Sequence, residues 1–380
     1  MPSLIRDRAS SSAQMLAVFD DDATLRAALA FEAALAEASA AEGVISADDA
    51  KQIAAACAAY PVSAAELAEE AAFTGTLTIP LVKHLRAQAG AAGKSAHVGA
   101  TSQDVSDTVM ILQAKQGLAL IETDLARMSA ALAALARTHA QTPMLGRTLM
   151  QAARPISFGH KVAQWMLAVD AARARLTREG QDALVIEFGG AAGTRADLKG
   201  KGAAIGMRLA KSLGLGAALP WHTRRDAVAG LASALAITAG SLAKIAKDIA
   251  LMAQSEVGEA AEPRQEGRGG SSAMPHKRNA TSCQVVLSAA LRTPGLAASI
   301  LTALPQEHER GMGGWQIEGP VLAELFELTH GAVALLTPVI EELELYPEVM
   351  AANLAAADVG DDLGESAALV ASALEIHGRG

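Results

Sequence analysis

From Ser102 to Thr138 the chain runs without a proline and with Gly117 as its only glycine. A stretch of alanine, leucine and scattered charges of this length predicts one helix of about ten turns at 3.6 residues per turn. Such a helix is stable only when other elements cover its apolar side. The sequence supplies them. Between Thr223 and Glu259, residues Leu231, Leu235, Leu242, Ile245 and Ile249 keep one helical face apolar. Further long segments run from Pro155 to about Gln181 and from Pro320 to Leu345, with Pro338 predicting a kink. Helices well above the ~11-residue mean predict an all-α, elongated long-helix bundle.

Composition narrows the class further. Hydrophobic residues make up 51% of the chain but aromatics only 3%, so much of the apolar content is alanine, a helix former and a weak core filler. That balance argues against an all-β protein. With 32 basic against 41 acidic residues and a net charge of -9, the chain lacks the basic, aromatic footprint of a nucleic-acid binder. Cys57 and Cys283 are too few for a disulfide scaffold. The longest uncharged stretch, between Asp226 and Lys244, falls short of the ~20 apolar residues of a membrane span and reads as a buried bundle helix. The N-terminus has no apolar run suited to a secretory leader. The expectation is a cytoplasmic protein with no nucleic-acid and no membrane partner.

Local punctuation divides the chain. Ser46 before Asp49 and Ser63 before Glu66 have capping-box spacing, Gly43 and Pro61 sit at expected helix stops, and Pro80 opens a short helix that Gly90 closes. Residues 1–100 therefore read as a short-helix N-terminal domain and residues 101–345 as the long-helix bundle. Residues 346–380 read as a short remnant of a truncated C-terminal domain, frayed after about Asn353. Strand signals are nearly absent. Ala-rich faces let helices approach closely, and several are expected to bury a second face against another subunit. Glycine- and hydroxyl-rich loops at 91–102, 187–202 and 262–282 lie beside the long helices, where a rigid scaffold usually carries its chemistry.

The third loop reads GRGGSSAMPHKRNATS from Gly267 to Ser282. Its glycines suit an anion-binding nest of backbone N–H groups, and Lys277 and Arg278 add positive charge. A serine there has its alkoxide favoured and is able to exchange a proton with carbon. A Ser-Ser pair alone is most often a helix cap; the string GSSAMPHKRN is far more specific.

That string resembles the signature of the fumarase/aspartase superfamily, which includes adenylosuccinate and argininosuccinate lyases and muconate cycloisomerases. HVGATSQDVSDT (His97 to Thr108) is similar to the first superfamily block in its muconate cycloisomerase form, and GRTLMQAARPISFGHK (Gly146 to Lys161) to the second. GGAAGT at Gly189, LPWHTRRD at Leu219, SEVGEAAEP at Ser255 and ERGMGGWQ at Glu309 resemble the bacterial carboxymuconate branch. The resemblance covers roughly residues 15 to 355. It implies Ser271 as proton donor to carbon, and Lys277 and Asn279 as groups that bind and stabilise a substrate carboxylate. Ser272 and Met274 of the same loop are further substrate-binding candidates. Thr101 and Ser102, with Gln103 nearby, would face another carboxylate, and Arg147, Thr148 and Gln151 match substrate-facing positions. His97 either contacts substrate or makes a loop hydrogen bond. Arg278 and Arg310 are further candidate cations. The resemblance also implies a homotetramer whose sites collect these blocks from three subunits, a small tricarboxylate substrate, no metal and no cofactor.

One position departs from the lyases: where they carry a histidine after Gly-Arg-Thr, this chain has Leu149, and Ala152 stands where muconate cycloisomerases often have one. The chemistry accounts for the loss. A lyase must protonate a leaving nitrogen, whereas a lactonising carboxylate, with a pKa near ~4, is already ionised. The implied reaction is lactonisation of 3-carboxy-cis,cis-muconate to 4-carboxymuconolactone, in the protocatechuate branch of aromatic catabolism. A 3-sulfomuconate substrate, an adenylosuccinate-type lyase and a catalytically inert helical assembly are the alternatives. Among other signals, GAAGKS at Gly90 lacks the glycine spacing and preceding strand of a phosphate loop. No histidine pair has metal-site spacing. His222 reads as a cap for the helix near Thr223, His276 as exposed, His308 and Glu309 as possible site lining, and Met144 and Met150 as packing.

Overall fold

The computed structural model describes residues 4–270, 274 and 277–379. Helices α1 (Leu4–Asp7) and α2 (Ala13–Val18) precede α3 (Asp21–Ala41), α4 (Ala47–Ala58), α5 (Ala64–Thr74) and α6 (Thr78–Gln88). The predicted caps are present: Ser46 Oγ accepts from Asp49 N, and Ser63 and Glu66 form a reciprocal capping box. At 21 residues, α3 is longer than the expected short module. Its Ala28, Phe31 and Leu35 share a core with Val105 and Val109 of the next helix and with Ile205 and Leu209. GAAGKS forms a 3-10 turn in which a Cβ on Gly93 would come within 2.2 Å of the Arg86 carbonyl oxygen, so that glycine serves close packing.

The predicted long helices follow. They are α7 (Ser102–Thr138), α8 (Phe158–Ala183), α10 (Asp226–Met252) and α12 (Glu318–Glu341), with α9 (Gly202–Leu213) shorter. The α10 stripe Leu231, Leu235, Leu242, Ile245 and Ile249 is fully buried, together with Leu125, Leu132, Trp165, Met166, Phe326 and Leu336 from its neighbours. Pro338 sits in the last turn of α12. Helix α11 (Thr281–Thr302) packs on α10 and α12 and carries Pro294 inside it. That proline, followed by Gly295, hid α11 from the sequence reading.

The expectation that the apolar stretch after Asp226 is too short to span a bilayer needs correcting. Helix α10 continues through Lys244 and Asp248 to Met252, and α10, α11 and the segment Trp315–Glu341 are each long and apolar enough by length and composition. The most apolar window of α10 is 56% buried within the chain and that of α12 67%, but that of α11 only 33%.

Two other readings are revised. Residues 143–157 form a hairpin of β1 (Pro143–Thr148) and β2 (Gln151–Ser157), antiparallel, with Met144 opposite Ile156, so α8 starts at Phe158 rather than Pro155. Buried Met144, Leu145 and Pro155 anchor its base. A second small pair joins β3 (Ala260–Ala261) to β4 (Glu344–Leu345). The end of the chain is not frayed after Asn353. Helix α13 (Pro347–Ala356) packs on β1, and α14 (Ser366–His377) packs on α8, burying Val370 and Ala373 in the main core.

Candidate active site

The first-block residues gather at the N-terminal ends of α7 and α10. Asp104, in the first turn of α7, is fully buried, and its carboxylate accepts four hydrogen bonds: from Thr101 N (2.9 Å), Gly189 N (2.9 Å), Gly190 N (3.0 Å) and His222 Nε2 (2.7 Å). One side chain thus fixes the start of α7 and the 187–202 loop, leaving Thr101 and Ser102 half-buried at the helix N-terminus, where backbone N–H groups favour anions. Arg310 belongs to the same end, donating through Nη2 to the carbonyls of Gly190 (3.3 Å) and Ala191 (2.9 Å).

Behind this surface lies a buried charge network. Glu187 accepts from Trp221 N at 2.6 Å, and its Oε1 is 3.6 Å from His222 Nε2. Burial pushes the Glu187 carboxyl up to about 8 against the pull of His222. Burial alone would lower His222, but the hydrogen bond to Asp104 and the charge of Glu187 outweigh it and raise its pKa. Arg225 is stacked 4.5 Å over the Trp221 ring, forks onto Asp107 at 2.7 and 2.8 Å, and pairs with Glu318. Asp104, Glu187 and His222 are metal-ligand types whose ligand atoms lie within 4.8 Å of one another. The oxygens of Asp104 already serve three backbone N–H groups and an imidazole, so the donor set fits a charge network better than an ion.

The second-block and signature residues gather at the opposite end. Arg147 is held bidentately by the fully buried Glu259, Nη1 to Oε2 at 3.0 Å and Nη2 to Oε1 at 2.9 Å, and Asn353 Nδ2 donates to the same carboxylate at 2.9 Å. Thr148 and Gln151 are exposed beside the hairpin tip. A cavity of about 780 Å³ is lined by Arg264, Arg268, Lys277, Arg278, Asn279 and Tyr346 among others. Arg278 is committed to Glu344, through two contacts of 2.9 Å, and to Tyr346 Oη. That fork holds it in place and raises its pKa. Lys277 is exposed and pairs with no carboxylate among the described residues. Asn279 N donates to Gly269 O at 2.8 Å, closing the loop neck, and Glu262 caps α11 by accepting from Ser282 N and Cys283 N.

The two ends are far apart within one chain. At 1.5 Å per residue, the 27-residue α10 is about 40 Å long and the 37-residue α7 about 55 Å. Thr101 and His222 lie just before these helices, and Pro143 and Glu259 just after them.

Residues 8–295 match a family model described as lyase. The chain is 47% identical to 3-carboxy-cis,cis-muconate cycloisomerase of Bradyrhizobium diazoefficiens over 90% of this chain and 77% of that protein. It is 44% identical to the Pseudomonas aeruginosa protein of the same description, over 90% and 76%. The crystal structure of the 3-carboxy-cis,cis-muconate lactonizing enzyme from Pseudomonas putida superimposes with a TM-score of 0.93 at 34% identity, covering 99% of both chains. The chain belongs to the fumarase/aspartase superfamily of lyases.

In this member of the superfamily the structure places the expected site residues unevenly. Thr101, Ser102 and Arg310 meet at one end, and Arg147, Thr148, Gln151, Met274, Lys277 and Asn279 lie at the other. Ser271 and Ser272 fall outside the described residues, as does His276. Gln103 is fully buried, donating to His222 O at 2.9 Å, so within the chain it braces the turn before α10. His97 Nδ1 is 2.6 Å from the buried Glu32 of α3; burial opposes its charge, but Glu32 raises its pKa. His222 is a buried partner of Asp104 rather than a helix cap. Met144 packs in the core, whereas Met150 is 69% exposed. Sequence reasoning missed Asp104, Glu187, Arg225 and Glu259; the signal available was Asp104 and Asp107, three apart on one face at the start of a long helix.

Proposed function

We propose that this chain lactonises 3-carboxy-cis,cis-muconate to 4-carboxymuconolactone, working in the cytoplasm as a homotetramer that shares its active sites between copies. The observation that carries the reading is the match to the Pseudomonas putida lactonizing enzyme along 99% of both chains, with Leu149 standing where the superfamily's lyases carry an acid. The shared site is supported by the separation of first-block and signature residues along α7 and α10. One chain cannot close that distance, whereas antiparallel copies bring the two ends together. The sparsely buried face of α11, with Leu291 83% exposed, offers the apolar area for such packing.

In this reaction a substrate carboxylate oxygen forms a bond to a diene carbon. The π electrons move into the conjugated carboxylate, and Ser271 delivers a proton to the carbon beside it. Holding the diene curled contributes through proximity. Among the described residues Lys277 pairs with no carboxylate, so its charge is available to the aci-carboxylate, and Asn279 and the Thr101–Ser102 helix start hold the remaining carboxylates. Arg147, neutralised by Glu259, positions the hairpin. A trianion becomes a lactone dianion, so each turnover takes one proton from solution.

Adding purified protein to 3-carboxy-cis,cis-muconate should abolish the diene absorbance with stoichiometric proton uptake in an unbuffered cell. No change in either signal would overturn the assignment. Turnover of the 3-sulfo compound alone would replace the substrate while keeping the chemistry.

A further inference from the structure

Strands β3 (Ala260–Ala261) and β4 (Glu344–Leu345) are only two residues long, yet much of the second-block and signature end is fastened to them. Just before β3, Glu259 holds Arg147 at the base of the hairpin, and its backbone carbonyl accepts from Tyr346 N at 3.1 Å. Just after β3, the Glu262 carboxylate accepts from Ser282 N and Cys283 N at the start of α11, while its backbone carbonyl accepts from Arg278 Nη2 at 2.8 Å. On β4, Glu344 takes the same guanidinium as a fork, Nη1 to Oε2 and Nη2 to Oε1, both at 2.9 Å. Tyr346 Oη accepts from Arg278 Nη1 at 3.1 Å and donates to Glu344 Oε2 at 2.8 Å. The Arg278 charge is thereby neutralised, and its hydrogen bonds hold the Glu344 carboxyl below the usual carboxylate range. On either side of Arg278 in sequence stand Lys277 and Asn279, and Asn279 N closes onto Gly269 O at 2.8 Å. A planar fork bound at two points fixes direction as well as distance.

We infer that Arg278 is a positioning residue, whose fork onto Glu344 and Glu262 fixes the backbone between Lys277 and Asn279 and so sets those two side chains relative to the hairpin base. This rests on the lactonisation proposed above, in which Lys277 and Asn279 hold substrate carboxylates. The role replaces that of a substrate cation, because a guanidinium already paired with a carboxylate adds little field at a trianion. Lys277 acts on charge that develops in the transition state, where a misplacement of about 1 Å is costly. The fork is part-exposed, 33% on Arg278 and 30% on Glu344, so it directs the segment while adding little to global stability.

Arg278→Met and Glu344→Met separate the two roles. For a positioning pair, each variant should lose about tenfold or more in kcat on 3-carboxy-cis,cis-muconate while KM moves by less than about threefold. The double variant should lose no more than either single one, with melting temperature and oligomer unchanged. A substrate cation would give a different pattern: Arg278→Met raises KM, and Glu344→Met, which frees the charge, keeps wild-type kcat. That pattern, additive losses, or a fall in kcat that merely follows lost folded protein would overturn the inference. A second readout needs no substrate. Trypsin should cut after Lys277 several-fold faster in Glu344→Met, which leaves every cleavage site in place, than in the wild type. Equal rates would overturn the anchor. Wild-type protein inactive on the muconate would instead overturn the proposed function, and the tryptic rates would still decide the anchor.

Discussion

Asp104 Oδ1 lies 2.7 Å from His222 Nε2, joining the first turn of the longest helix to the turn that precedes α10. Through this contact, and through its bonds to Thr101, Gly189 and Gly190, one buried carboxylate sets the geometry of the turn before α7 and of the 187–202 loop. Asp104 thus positions its neighbours rather than taking part in the chemistry.

Asp104→Asn replaces an acceptor that serves four donors with a group half of whose capacity is itself donating. The expected cost is about 3 kcal/mol of unfolding free energy. Denaturant unfolding measures this. A fall in kcat/KM well beyond any change in folded fraction should accompany it, since Thr101 and Ser102 lose their anchor.

Arg225→Met leaves Asp107 and Glu318 buried without a counter-charge. Burial already raises the pKa of both, against the pull of Arg225. Removing that pull should destabilise the fold by about 3–5 kcal/mol, and replacing all three residues with apolar ones of similar volume should recover much of it. Calorimetry of the single and triple variants decides.

Glu187 makes stability depend on pH in a direction unusual for a carboxylate. Its folded pKa, about 8, lies above the ordinary carboxyl value of 4.5, so the folded state holds the proton over that interval while the unfolded state has lost it. Stability from this group is present below about 4.5 and lost as pH rises toward about 8. His222, also raised, acts in the same sense: its contribution is present below its ordinary value and lost as pH climbs through the folded one. Glu187→Gln should therefore flatten the decline of melting temperature between about pH 4.5 and 8, the interval in which the Glu187 carboxyl keeps its proton only in the folded state. A decline as steep as in the wild type would contradict the assignment.

The long helices were legible because alanine and leucine periodicity is local and repeats over many turns. Helix α11 was not, since Pro294-Gly295 reads as a break although packing against α10 and α12 carries the helix through it. The hairpin escaped for a related reason: Leu149 and Met150 are not turn formers, and tertiary anchors such as Arg147 on Glu259, 112 residues away, hold the hairpin in place. Site blocks such as Gly270 to Asn279 were legible as short strings. The partners that position them were not, because nothing near Asp104 in sequence announces Gly189 or His222.

If one site draws residues from opposite ends of different copies, two inactive variants altered at different ends should complement one another when mixed. Lys277→Met removes a cation at one end, and Thr101→Val removes the hydroxyl at the other. Each variant alone should have little turnover of 3-carboxy-cis,cis-muconate. Unfolded and refolded together in equal amounts, they should regain roughly a quarter of wild-type activity, the share of sites in which random mixing leaves both native residues. Activity no higher than the average of the two parents would contradict the shared site.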